Sequence, residues 1–309
     1  PDDTKRLIYS ALTKEQQQHF EEFHELDLAI PFPPAARFRV NVYQQKDVVG
    51  VAMRLIPLRV RTIDELGLPQ ILKPVSLRPR GLVLVTGPTG CGKTTTLAAA
   101  VEHINQSAAK HIITIEDPME YAHSDKLSSI SQRQVGVDTH SYAASLRHIM
   151  RQNPDVILVG EMRDLETMQL TITAAETGHL VFSTLHTVDA TQTVDRIIDA
   201  FDPDQQEQIR MQLSVTLEAV FSQQLLPRAD GTGRVAVFEI LIATSPVRSI
   251  IRAGRTYQLA SVIQGSSEVG MQSLDQALVD ACRSGAISYE EGLSKSSNPR
   301  DFEQLSKRT

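Results

Sequence analysis

GLVLVTGPTGCGKTTTL, Gly81 to Leu97, decides how this chain is read. GLVLVTG is predicted to be a short buried strand, and KTTTLAAAVEHINQSA a helix. Between them Gly87–Thr94, GPTGCGKT, fits G-x-x-x-x-G-K-[ST] without departure. It stands in the strand–loop–helix setting that the motif requires. Its glycines let backbone N–H groups converge on phosphates, and the helix N-terminus favours the anion. Gly87, Pro88, Thr89, Gly90, Cys91, Gly92, Lys93, Thr94 and Thr95 are therefore expected to grip a nucleotide. Lys93 reaches the β- and γ-phosphates, and Thr94 holds Mg²⁺. Cys91 is unusual, because a small hydroxyl residue would be the ordinary choice there. Its side chain is expected to lie under the loop while its backbone serves the phosphate.

Strands and helices alternate on both sides of this stretch. HIITIEDP, DVILVGE and HLVFSTLH read as further strands, separated by helices such as SYAASLRHIMRQNP and DLETMQLTITAAETG. Such alternation implies an α/β fold with a parallel sheet covered on both faces. Sites in such sheets lie at the carboxyl ends of the strands. Before this core, residues 5–28 show helical spacing, IPFPP breaks the helix, and RFRVNVYQQKDVVGVAMRLIP alternates as a hairpin. A connector follows, with a short helix predicted after a Thr62 cap. From Pro203 onward the pattern is mostly helical apart from RVAVFEIL, and the last stretch, SKSSNPRDFEQLSKRT, is polar and expected to be mobile.

Composition narrows the classes. With 309 residues and 41% hydrophobic content the chain can bury a proper core, and no run reaches the ~18 apolar residues of a membrane helix, so no direct membrane insertion is predicted. The chain opens PDDTKRLIYS, without an initiator Met or an apolar signal segment, as a trimmed fragment would. Two cysteines, Cys91 and Cys282, make neither a disulfide framework nor a four-cysteine zinc site, which suits a reducing cytoplasm. The net charge of −6 speaks against general nucleic-acid binding. Yet Arg37 to Arg80 holds seven Arg and two Lys against three acids. That segment is either a solvated basic face or a contact for a polyanion.

Three further motifs carry chemistry. DVILVGE ends a hydrophobic strand in Glu161, with Gly160 where a metal-binding Asp would be usual. Glu161 is thus expected to act on the attacking water rather than as a direct metal ligand. TIEDPMEY ends a strand with Glu116, Asp117 and Glu120. Glu116, like Glu161, could touch the metal through water. TGHLVFSTLHT brackets a strand with His179 and His186, seven residues apart and so on opposite faces at opposite ends. His186, at the carboxyl end, is placed to sense the γ-phosphate. His179 suits a subunit contact.

Together these motifs resemble the Walker A, Asp box, atypical Walker B and His box of the secretion-superfamily hexameric ATPases. Those enzymes drive type II secretion, type IV pili and type IV secretion. IIRAGRTYQL and VGMQSLDQALVDACRSGAIS look like the pilus-retraction branch, although the first departs from that branch's signature at its first position and at Arg255. The resemblance implies the end of a PAS-like α+β domain (residues 1–58, its first half lying before this chain) and a linker (59–71). A RecA-like P-loop ATPase core (72–240) and a helical C-terminal region (241–309) would follow. It implies Mg²⁺-dependent hydrolysis of ATP by a homohexameric ring that powers pilus retraction and twitching motility. The ring would sit in the cytoplasm against the inner membrane, on a pilus platform protein. A sister motor that assembles pili or exports protein, and a RecA-like nucleic-acid translocase, are the alternatives. It also implies that Lys93, Glu161, Glu116 and His186 are catalytic, and that Arg37, Arg39 and Arg54 of the hairpin reach the phosphates. Arg147 and Arg151 are a second candidate set. Either set could equally hold the ring together by salt bridges.

Overall fold

The computed structural model describes residues 2–32, 36–56 and 59–307. At the N-terminus α1 (Asp2–Ala11) and α2 (Lys14–Phe23) precede β1 (Glu25–Phe32), β2 (Ala36–Gln45) and β3 (Val48–Ile56). The strands form an antiparallel sheet in the order β1-β2-β3. One face, through Leu28, Val40 and Val42, closes on Ile8, Leu12 and Phe20 of the helical segment.

The single helix expected over 5–28 is corrected here. A Thr13–Gln16 capping box starts a second helix, and His24, at φ 61°, ends it. ELDLAIPF then pairs with β2 instead of continuing the helix. Its alternation of apolar residues suits a strand, and an edge position tolerates Pro31.

The core begins with α3 (Leu72–Ser76), β4 (Gly81–Thr86), α4 (Lys93–Ser107), β5 (His111–Glu116) and β6 (Ser129–Gln134). It continues through α5 (Tyr142–Ile149), β7 (Val156–Val159), α6 (Leu165–Glu176), β8 (Leu180–Leu185), α7 (Ala190–Asp199) and α8 (Gln206–Thr216). β9 (Leu217–Pro227) and β10 (Arg234–Ile242) complete it. The sheet runs β10-β9-β4-β8-β7-β5-β6 and is parallel except for the β9–β10 pair. Every residue of β4 and β8 is buried, as expected of central parallel strands. Thr62 does form a capping box with Glu65, but it closes a turn rather than a helix.

The C-terminal region is helical: α9 (Ser245–Arg252), α10 (Leu259–Gly265), α11 (Leu274–Arg283), α12 (Tyr289–Lys295) and α13 (Pro299–Lys307). Two expectations fail here. LEAVFSQQLLP, within the stretch expected to be mostly helical, is the long strand β9. The polar last stretch is a docked helix, because Phe302 is fully buried among Leu226, Val237, Leu274 and Leu278. One buried Phe contributes about 1.5–3 kcal/mol, enough to hold an otherwise polar helix. Among the described residues no helix is long and apolar enough to cross a membrane.

Candidate active site

The phosphate loop leaves the end of β4 and turns into α4. Gly87, Gly90 and Gly92 hold φ of 136°, 81° and 95°, a conformation that L side chains rarely adopt. At Gly87 space is also decisive: a Cβ would stand 2.3 Å from the carbonyl oxygen of Gln223 and 2.8 Å from Cys91 Sγ. Cys91 is buried, and burial pushes its thiol above its ordinary pKa, so it packs as a small apolar group. Lys93 Nζ lies across the loop and donates to the carbonyls of Gly87 (2.7 Å) and Pro88 (3.1 Å). Burial lowers its pKa, and the charge of Glu161 opposes that shift. Thr94 and Thr95 open α4, and Thr95 Oγ1 is 3.0 Å from the Tyr121 hydroxyl.

The acids gather at the same end of the sheet. Glu161 follows β7 and is mostly buried. Its Oε1 accepts from Arg163 at 2.6 Å, and its Oε2 is 3.5 Å from His186 Nε2. His186 follows β8 and is half exposed. The structure thus brings Glu161 and His186 together. Glu116, at the end of β5, is buried; its Oε1 accepts from Thr114 (2.7 Å) and Gln132 (3.2 Å). Burial raises its pKa more than these bonds lower it. The segment after Glu116 is fastened to α4. Buried Glu102 accepts from Lys126 and faces His123, while Asn105 donates to the Ser124 carbonyl at 2.8 Å.

Gly160 has a steric reason. A Cβ there would meet the Tyr142 hydroxyl at 2.9 Å and the Ile115 carbonyl at 3.2 Å. Gly160→Ala is expected to lower stability by about 1–3 kcal/mol, as overpacking does. Adding Tyr142→Phe should return part of that loss. Thermal melts of the single and double variants check both, and equal melting of Gly160→Ala and wild type would contradict this account.

One hairpin arginine, Arg39, reaches this end. Arg39 and Arg54 stand directly opposite each other in the β2–β3 register and so share a face. Arg39 bridges to the core through Glu120 at 3.0 Å. The side chain of Arg37 lies outside the described residues. Arg147 pairs with Glu166 across α5 and α6. Elsewhere in the basic segment, Arg78 pairs with Glu218 and Lys73 with Asp64. His179 lies at the opposite end of β8, where its Nδ1 is 2.9 Å from the Ala174 carbonyl of α6.

Two residues escaped the sequence reading. Gln223 of β9 binds the phosphate loop: its Nε2 donates to the Cys91 carbonyl at 2.7 Å and its Oε1 accepts from Thr96 Oγ1 at 2.7 Å. A glutamine inside the apolar run LEAVFSQQLLP was the available signal. Glu239 of β10 caps α7, just beyond His186, by accepting from the Ala190 N–H at 2.8 Å.

Burial, with Asp189 and Asp275 facing it, pushes the Glu239 pKa up to about 7 from an ordinary 4.5. The folded state therefore holds this proton more tightly than the unfolded chain. The stability this contributes is present below about pH 4.5 and lost as pH rises to about 7. Glu239→Gln keeps the acceptor and removes the titration. Its melting temperature should gain on wild type between pH 5 and 8, by an equivalent on the order of 3 kcal/mol at most. A difference that does not vary with pH would contradict this.

A parallel sheet with this loop after β4, and a carboxylate–histidine pair at the ends of β7 and β8, defines a P-loop ATPase. More specifically, the chain belongs to the family described as type II/IV secretion system protein, whose pattern matches residues 34–293. It is 47% identical over 296 residues to the type IV pilus retractation ATPase PilT of Pseudomonas aeruginosa, covering 96% of this chain and 86% of that protein. It is 41% identical over 307 residues to the type IV pilus ATPase PilU of the same species, covering 99% and 80%. A solved structure of the pilus retraction motor PilT with bound ADP superposes with a TM-score of 0.92 at 43% identity, over 98% of this chain and 87% of that one.

Proposed function

We propose that this chain is the subunit of a ring motor that hydrolyses ATP to retract type IV pili, the activity behind twitching motility. The observation that carries the reading is the convergence of the phosphate loop, Glu161 and His186 at one end of the sheet, in a chain similar to PilT over nearly its whole length. ATP binds along Gly87–Thr95, its phosphates taken by loop amides and Lys93. Thr94 would hold Mg²⁺, with Glu116 and Glu161 reaching it through water, and the ion would supply neutralisation of phosphate charge. Glu161 orients the attacking water and His186 senses the γ-phosphate.

Arg39 and Arg54, and Arg37 on the same strand as Arg39, supply positive charge from the small sheet. Two guanidiniums held opposite each other repel, and an anion between them relieves that repulsion. In this reading residues 1–58 are the end of a PAS-like domain and 59–71 a linker. Residues 72–240 are the RecA-like core and 241–309 the helical region. Six copies close a ring at the cytoplasmic face of the inner membrane, against the pilus platform protein. The test is complementation: the gene for this chain, placed in a retraction-deficient host, should restore twitching and remove excess surface pili. ATP turnover without any restoration would favour a sister motor.

A further inference from the structure

We propose that Gln223 is a positioning residue of the nucleotide site, a latch that holds the phosphate loop in its binding shape. The inference rests on the nucleotide reading above and extends it to a residue on a different strand.

One close approach and two hydrogen bonds carry it. The carbonyl oxygen of Gln223 fills the space where a side chain on Gly87 would begin. Its amide donates to the Cys91 carbonyl at the crest of the loop, 2.7 Å away. Its side-chain oxygen accepts from Thr96 in the first turn of α4, also at 2.7 Å. One residue therefore packs against the start of the loop and is bonded to its Cys91 peptide and to its exit. The neighbouring pair, Ser222 and Thr86, joins the same two strands at 2.9 Å.

The energetics favour a specific role over general packing. Gln223 is buried, and burying a primary amide is unfavourable unless both of its ends are bonded. Here both are bonded, and both partners belong to the phosphate-binding segment. With the Cys91 carbonyl drawn back toward β9, the N–H groups that follow it are left directed at the anion. Without the latch the crest peptide is free to rotate, and the amides lose their convergence.

The test uses the full chain and the affinity for ADP, read as the ratio of variant to wild-type Kd at each pH from 5.5 to 8.5. Cys91 and Lys93, the ionisable residues of the loop, are present in both proteins, so their contributions cancel in that ratio. Gln223→Met removes both bonds at similar volume and should weaken ADP at least tenfold at every pH. Gln223→Glu separates latch from packing. As a carboxylate it cannot donate to the Cys91 carbonyl, so ADP should bind about tenfold more weakly at high pH. Protonated, its O–H donates to Cys91 and its C=O accepts from Thr96, so affinity should return toward wild type as pH falls. A Gln223→Glu ratio that stays flat across pH overturns the assignment, as does wild-type affinity in Gln223→Met. If Gln223→Met does not fold, the Gln223→Glu profile decides alone. A wild-type chain that binds no ADP overturns the nucleotide reading itself, and the latch with it.

Discussion

Gly87→Ala is expected to weaken nucleotide binding about 100-fold or more while leaving the sheet folded. Gly87 sits at φ 136°, where an L residue is strained, and the new methyl would lie 2.3 Å from the Gln223 carbonyl. One side must move. β9 is held in ladders to both β4 and β10, so the loop is the part that yields. A shift of even a few tenths of an ångström at its first residue turns the following amides away from a common point. About 3 kcal/mol of lost phosphate contacts corresponds to roughly that 100-fold. ADP titration measures it, and far-UV circular dichroism verifies the fold. Wild-type affinity in this variant would refute the tight approach of loop and β9.

Glu161→Gln should bind ATP as wild type does and hydrolyse it about 10²–10⁴ times more slowly, the usual contribution of a positioned base. The amide keeps the size of the carboxylate and can still accept from Arg163, so the local geometry survives. What it loses is the negative charge that draws the proton from water. Single-turnover phosphate release, run beside an ATP titration, separates the two effects. Hydrolysis at the wild-type rate would remove Glu161 from this role, and a large loss of affinity would mean that it holds the nucleotide instead.

The parts of the fold readable from sequence were those with a local cause. The phosphate loop is written in contiguous residues whose glycines answer to backbone geometry. β4, β5, β7 and β8 are apolar runs between helices, a pattern only a covered parallel sheet explains. Glu161 and His186 were placed by strand ends, and the structure sets them 3.5 Å apart.

The features missed depend on distant partners. β9 is buried on both faces and lacks alternation, so nothing local separates it from a helix. β6, SISQRQ, is a polar edge strand that β5 alone defines. α13 is polar in sequence and docks through Phe302, with Leu305 packed beside it. Gln223 and Glu239 gain their roles from residues far away in the chain, across a strand crossing that no local pattern announces. Gly160 departs from the usual residue for a reason no local pattern holds, the Tyr142 hydroxyl packed against it.

β9 carries a mechanical consequence. Gln223 on it grips the phosphate loop, and Leu226, three residues on, is buried among α11 and α13. The loop and the C-terminal helices are thus mounted on one strand, laddered to β10 from Ala219 to Pro227. They must travel as a single stiff body. Any hinge belongs at the connector after the small sheet, and Arg39–Glu120, which ties that sheet to the core, is an ion pair that can open and re-form without unfolding either side.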